Sequence, residues 1–245
     1  MKLYIADMHI HSALSPCGNA EMNAYDIVTV AMQRGLNIIA LTDHNCTKQV
    51  QIVKDFGKQE GILVIPGLEV NTKEEIHCLV YFETVSQLEE FQKYLDKHMP
   101  RVKNKATLFG KQVISDLNGD ILDEVDELLL VGLDTSFNQV ARMVHSMDGI
   151  IVPAHIDKSR NSILSQLGFI PSGATIDAVE IFNPGDYERL LTSHPELSRW
   201  SVMSNSDAHF LKDIGSRTTF FNLAEPSFEE IRMAMHKEAG RWMGC

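Results

Sequence analysis

The chain has 245 residues, 44% of them apolar, and a formal net charge of −11. That length and apolar content suit one α/β domain with a full core, and the acidic balance argues against a basic surface built to hold long nucleic acid. No apolar run reaches the roughly 18 residues needed to span a bilayer, which excludes a membrane-embedded helix.

The opening apolar run meets Asp7 too early for a secretory h-region. Cys17, Cys46, Cys78 and Cys245 form no C-x-x-C pair. A reducing, cytoplasmic setting is therefore expected, with thiols or ligands rather than disulfides. Cys46 and Cys78 read as small buried apolar residues.

In chain order, residues 3–8 read as a buried strand that runs into an H-x-H, His9 and His11. A helix follows from the cap Asn23 to residue 34, stopped by Gly35. Residues 37–41 form the next strand and lead into Thr42-Asp43-His44. A helix is expected over 47–58, a strand over 62–65, a turn at Pro66-Gly67 and an extended continuation over 68–71 that carries Glu69. His77 stands near the start of a strand over 76–82, and a helix covers 86–97.

Residues 100–133 break this rhythm. They are polar, with Arg101, Lys103, Lys105 and Lys111 ahead of an acidic helix over 120–130. They read as a small helical insertion over the mouth of the fold, either a lid or a surface excursion without a role. Beyond it come a helix over 136–147, a strand over 150–154 ending at His155, a short helix over 161–167, a strand over 178–182 and a helix over 187–192. A strand over 200–204 precedes the D-x-H of Asp207 and His209, and a strand over 218–221 and a helix over 227–236 follow. Alternating β and α units imply a mostly parallel sheet. Residues 1–245 are expected to form one domain with one insertion.

Most of the chemistry-bearing residues lie at C-terminal ends of strands. In a parallel barrel those ends gather at one face. Side chains two apart on a strand share a face, so His9 and His11 reach one centre, as do Asp207 and His209. His77 fits only if its strand runs antiparallel or forms a hairpin at the mouth. Imidazole, carboxylate and thiolate together suit borderline divalent metals such as Zn, Mn and Fe. His98, His145, His194 and His236 lack this context and read as solvated.

At these residues the chain resembles the PHP (polymerase and histidinol phosphatase) family. Asp7-Met8-His9-Ile10-His11-Ser12 is similar to its first motif, Thr42-Asp43-His44 to its second, Ala154-His155 to its third and Ser206-Asp207-Ala208-His209 to its fourth. Gly67-Leu68-Glu69 matches the G-x-E between the second and third. The resemblance implies a distorted (βα)7 barrel, two to three divalent metal ions and hydrolysis of phosphate esters. By position, His9, His11, Glu69 and Asp207 would hold one metal. Glu69 would bridge to a second, held with His77 and His155. Cys17, His44 and His209 would hold a third. Cys17 departs from the His or Asp often found near that place, and stands either as a thiolate ligand or as an unligated thiol.

Clustered metals suit phosphoryl transfer, and the reaction expected is in-line attack by a metal-bridging hydroxide on the phosphate ester of a small metabolite or nucleotide. Asp207 serves as ligand and proton acceptor, with Glu69 as the bridging carboxylate. Arg160 suits bidentate contact with phosphoryl oxygens. Lys158, Asn183 and, more weakly, Arg217 are further substrate contacts, and Asp43 is a partner that orients a ligand. Three alternatives stand beside this reading: a nuclease trimming nucleic-acid ends, a non-catalytic metal-stabilised regulatory module, and hydrolysis of a C–N or C–O bond.

Overall fold

The computed structural model describes residues 1–245. Its elements are β1 (Lys2–Ile10), α1 (Ala24–Gln33), β2 (Ile38–Leu41), α2 (Val50–Glu60), β3 (Leu63–Asn71), β4 (His77–Tyr81), α3 (Val85–His98), α4 (Ala106–Phe109), β5 (Val113–Ser115), β6 (Ile121–Glu124), α5 (Phe137–Ser146), β7 (Ile150–Pro153), α6 (Ile163–Leu167), β8 (Ala178–Glu180), α7 (Tyr187–Ser193), β9 (Ser201–Met203), β10 (Thr219–Leu223), α8 (Phe228–Met235) and β11 (Trp242–Gly244). Asn23 caps α1 through Asp26 N, and Thr84 with Gln87 forms a capping box on α3. Each satisfies helix-end amides that would otherwise lack partners.

Seven strands form one curled sheet in the order β11-β10-β1-β2-β3-β4-β7, and β8 and β9 form a separate parallel pair. Strands β1, β2 and β3 are parallel neighbours. The sheet is nevertheless mixed rather than mostly parallel. β4 returns antiparallel to β3 through a short turn, and no helix intervenes. β10 and β11 also run antiparallel to their neighbours. The architecture is mixed α/β, and strict βα alternation is broken at β4.

Alternate strand residues face two apolar layers. Ile39, Leu41 and Val64 pack with Ile27, Val53, Phe91 and Val140 from the surrounding helices. Ile38, Ala40 and Ile65 pack with Leu79, Tyr81 and Val152 inside the curl. Tyr81 is fully buried there, and its hydroxyl donates to Met8 O at 2.7 Å, which satisfies the polar end of the ring.

Backbone hydrogen bonds link the strand ends around the mouth. Thr42 N donates to Ile10 O, Glu69 N to Asp43 O, Ala154 N to His77 O, Ile156 N to Glu180 O, Ile181 N to Met203 O and His11 N to Ala208 O. Segments distant in sequence therefore converge on one rim.

The acidic helix expected over 120–130 is absent. Residues 121–124 instead form β6, antiparallel to β5. The turn between them is built by Asp116, whose Oδ1 accepts from the N–H groups of Asn118 and Asp120, and by Gly119 at φ +83°. Asn-Gly is a strong hairpin signal, and it outweighs the helical character of the acidic run. His145 and His236 also differ from expectation. Their Nε2 atoms each lie 3.0 Å from one oxygen of the buried Asp177 carboxylate. No helix is long and apolar enough to cross a membrane.

Candidate metal centre

Glu69 lies near the end of β3, and five imidazoles face its carboxylate. The ring nitrogens of His77, His44, His155, His11 and His9 stand 2.9, 3.0, 3.3, 3.4 and 3.5 Å from a Glu69 oxygen. The β3–β4 pair places Asn71 opposite His77, so His77 enters the mouth from an antiparallel hairpin, the condition its position in sequence imposed.

His9 and His11 converge because the β1–β2 ladder slips. Asp7 pairs with Ile39 and Ile10 with Leu41, three residues on β1 against two on β2. A bulge of this kind re-aims a side chain near a site. His9 Nε2 and His11 Nε2 end 3.1 Å apart, and Asp207 Oδ1 is 3.3 Å from the first and 3.4 Å from the second. A tetrahedral ion with ligand bonds of about 2.0–2.1 Å has donor–donor edges of roughly 3.3–3.4 Å. His9, His11 and Asp207 match that spacing among themselves, and Glu69 approaches His9 through Oε1 and His11 through Oε2.

Two buried nitrogens, His44 Nδ1 and His155 Nδ1, make no hydrogen bond. His44 Nδ1 is 3.0 Å from Glu69 Oε2, but the direction is wrong for one. An orphaned buried polar atom calls for an explanation, and an ion beside Glu69 would supply one for His44 Nδ1; His155 meets Glu69 through Nε2, so its Nδ1 is not explained by that ion. Cys17 Sγ lies 3.1 Å from His209 Nε2, and the His209 ring stacks on His11 at 4.4 Å between centroids. The residues present fit divalent metal ions.

Electrostatics point the same way. Burial alone would lower the pKa of His11 and of His44, but Glu69 with Asp207, and Glu69 with Cys17, outweigh it and lift each to about 9. Burial would raise Glu69, but His77, His9 and His44 hold it well below the usual carboxylate range. Burial, with neighbouring imidazoles, instead pushes His77 down to about 4 and His209 down to about 3, so the two carboxylates favour positive charge on part of the cluster only.

Two of the eight non-glycine residues with positive φ are candidate ligands. His155 has φ +32° and Asp207 φ +51°, the left-handed region that non-glycine residues rarely occupy.

The surrounding residues separate by depth. Asp43 is buried and accepts from Ser12 N, Ser12 Oγ and Ser15 Oγ at 2.7, 2.6 and 2.6 Å, and Ser15 Oγ meets His11 Nδ1 at 3.0 Å. Asp43 therefore reaches His11 through Ser15. Lys158 donates to Asp207 Oδ2 at 2.5 Å. Arg160 and Asn183 are exposed but line the same cavity of about 540 Å³, with His44, His77 and His155 at its floor. Arg217 lies along a neighbouring lobe. Its guanidinium sits 3.5 Å from the centroid of Phe182, with Lys158 Nζ 4.2 Å from the same ring.

Sequence reasoning passed over Phe182, Ser15, Asn205 and Glu180. Glu180 carried a signal, an acid inside the apolar strand Ala178–Glu180. Its side chain is buried against His9.

A PHP-domain model matches residues 7–166 and a PHP-associated model residues 201–239. An uncharacterised Bacillus subtilis protein, YqxK, is 23% identical over 98% of this chain and 64% of its own length. The phosphoribosyl 1,2-cyclic phosphate 1,2-diphosphodiesterase of Eggerthella lenta is 30% identical over 67 residues, 27% of this chain and 24% of that protein. Among solved structures, the lesion-specific endonuclease Q of Pyrococcus furiosus aligns with a TM-score of 0.71 at 22% identity, over 99% of this chain and 58% of that one. An endonuclease Q complex with a 27-mer duplex carrying an abasic lesion aligns at 0.73 and 22% identity, over 98% and 58%. A Bifidobacterium adolescentis protein provisionally described as a metal-dependent phosphoesterase aligns at 0.59 and 16% identity, over 96% of each chain. This chain thus spans less than two thirds of YqxK and of endonuclease Q.

The expectation that long nucleic acid is an unlikely partner does not stand. A fold that superposes on nearly all of this chain is seen holding a DNA duplex. Net charge summed over a whole chain does not report the field at one mouth, and here Lys158, Arg160 and Arg217 gather on that rim. With the PHP-domain model matching 7–166 of its 245 residues, the chain belongs to the PHP family.

Proposed function

We propose that this protein is a metal-dependent phosphoesterase acting on phosphodiester bonds of nucleic acid. The observation that carries the reading is Glu69 facing five imidazoles within 3.5 Å. A purely structural site needs four ligands; this cluster offers nine residues. The curled sheet and the β8–β9 pair would together be the PHP barrel, and residues 1–245 one domain with an insertion at 100–133.

His9, His11, Glu69 and Asp207 would hold one ion. Glu69, His77 and His155 would hold a second, and Cys17, His44 and His209 a third, with Zn, Mn or Fe suited to such donors. Bound there, these ions would supply an activated water and neutralise charge around phosphorus. The chain's own residues do the rest. Asp207 accepts a proton from the attacking water at its carboxylate. Lys158, already on Asp207 Oδ2, would contact the phosphoryl oxygens beside it. Arg160 takes the non-bridging oxygens from the rim, and Asn183 borders the leaving group. Asp43, through Ser15, holds the His11 ring.

A small phosphorylated metabolite is the second reading. The similarity to the Eggerthella lenta diphosphodiesterase and a cavity of about 540 Å³, within the size range of small-molecule pockets, favour it. One assay separates the two. Protein loaded with Mn, Zn or Fe(II) is given single-stranded and abasic-duplex oligonucleotides, mononucleotides, and generic mono- and diesters. Cleavage of oligonucleotides supports the first reading, and phosphate release from mononucleotides alone supports the second. Silence on every substrate with metals bound would sink both.

A further inference from the structure

Glu180 ends β8 with its side chain fully enclosed. Three separate mouth segments donate to it. His9 Nδ1 lies 3.0 Å from Oε2, the His155 backbone N–H is 2.9 Å from the same oxygen, and Asn205 Nδ2 is 2.9 Å from Oε1. Asn205 Oδ1 accepts in turn from Met8 N at 2.9 Å. One carboxylate therefore joins the end of β1, the turn after β7 and the turn after β9.

We propose that Glu180 is a positioning residue that makes the first two metal ions bind as a pair, by orienting His9 and fixing the strained turn of His155 with one carboxylate. The inference rests on the phosphoesterase reading above.

With Nδ1–H of His9 committed to Glu180, Nε2 is left with its lone pair toward Asp207, Glu69 and His11. A carboxylate that accepts from the far nitrogen of a ligand imidazole fixes its tautomer and ring plane. His9 belongs to the first proposed ion. His155 belongs to the second, and its φ of +32° persists only if its surroundings over-determine it. The bond from its N–H to Glu180 Oε2 is such a restraint. The same oxygen thus serves a ligand of each ion.

A carboxylate can accept all three donors, whereas a glutamine cannot. The amide of a Glu180→Gln variant would offer one oxygen, and its NH2 would face the N–H of His155 or the Nδ2 of Asn205. Facing His155 at the place of Oε2, that NH2 takes the acceptor from His9 and His155 together while changing the volume hardly at all; facing Asn205 it would leave both, and the His9 ring signal in the variant tells the two apart.

The test is titration of metal-free protein with Zn²⁺ alone, read by calorimetry and by bound-metal stoichiometry. Glu180→Gln is expected to weaken both ions together, each by about 10–100-fold, while thermal melting of the metal-free protein shows that the variant is folded. The His9 ring of Zn-loaded wild-type protein is expected to carry its proton on Nδ1 in long-range ¹H–¹⁵N spectra. That signal reads the proposal even if the glutamine variant does not fold. Weakening of one ion only, unchanged affinity, or a His9 proton on Nε2 would overturn it. Failure of wild-type protein to bind Zn²⁺, Mn²⁺ or Fe²⁺ would remove the phosphoesterase reading and this inference together. Unchanged affinity in the variant would remove this inference alone.

Discussion

Cys17 Sγ and His209 Nε2 are 192 residues apart in sequence and 3.1 Å apart in space. Such contact between a thiol and an imidazole at the edge of an imidazole cluster has a spectroscopic consequence. Protein loaded with Co²⁺ should show a thiolate-to-cobalt charge-transfer band in the near ultraviolet. Cys17→Ala should remove that band and one ion of stoichiometry, while the ions near Glu69 stay. An unchanged spectrum would mean that Cys17 stands free.

His9→Ala and Asp207→Ala should abolish turnover while leaving the fold largely in place. Both groups lie at the mouth, where residues carry activity more than stability. A loss of at least about 10²-fold in kcat is expected, with cooperative thermal unfolding retained. Unfolding of either variant at room temperature would count against this division of labour.

Phe182 holds two cations at once, Arg217 at 3.5 Å and Lys158 at 4.2 Å from its ring centroid. Contacts of this kind contribute about 0.5–2 kcal/mol each. Phe182→Leu should keep the bulk but take the ring face from both cations, leaving Lys158 held by Asp207 and Arg217 by Ser206 O. KM for a phosphodiester should then rise several-fold, and kcat should fall less. Arg217→Ala should reproduce the KM change alone, and equal falls in kcat and kcat/KM for Arg217→Ala would place it in the chemical step instead.

The convergence of the candidate ligands was legible in the sequence because they recur in short motifs at strand ends, and strand ends converge. His77 was legible only conditionally, since its place depends on β4 turning back on β3. Glu180 was not. Its strand is only three residues long, and nothing local says that a lone acid in an apolar strand finds His9, which lies 171 residues away. The hairpin over 113–124 was missed because the acidic run resembled a helix, although Asn118-Gly119 carried the opposite signal. Nor can a sum of charges show that Lys158, Arg160 and Arg217 share a rim, because the topology places them there.

Asp177 predicts a pH dependence away from the metal centre. Burial would raise its pKa, but bonds from His145, His236 and Ile151 N outweigh that and bring it down to about 2 from an ordinary 3.8. A lowered carboxylate pKa stabilises the fold above 3.8 and loses that contribution as pH falls toward 2. His236 is shifted upward, chiefly by its bond to Asp177, from an ordinary 6.5. Its contribution is complete below 6.5 and is lost as pH rises through the raised value. The cluster therefore contributes most between roughly pH 4 and 6.5. Asp177→Asn should cost about 1–3 kcal/mol in urea unfolding at pH 5.5. His236→Gln should cost under about 1 kcal/mol, because the ring is partly exposed, and less still at pH 9. An equal cost at both pH values would show that charge plays no part.

Gly110 decides between a working insertion and an idle one. It has φ +99°, and a Cβ there would come within 2.2 Å of the backbone oxygen of Pro16, next to Cys17. Gly119, in the same insertion, has φ +83°, but its added Cβ would meet nothing nearer than Asn23 Nδ2 at 3.9 Å. Alanine at either position adds left-handed strain of about 1–3 kcal/mol; only Gly110→Ala also pushes against the loop carrying Cys17. If the insertion positions that loop, Gly110→Ala should speed modification of Cys17 by a thiol reagent and loosen the ion beside His209. Gly119→Ala should lower the melting temperature without doing either. The same thiol reactivity in both variants, and the same metal content, would identify the insertion as a surface excursion.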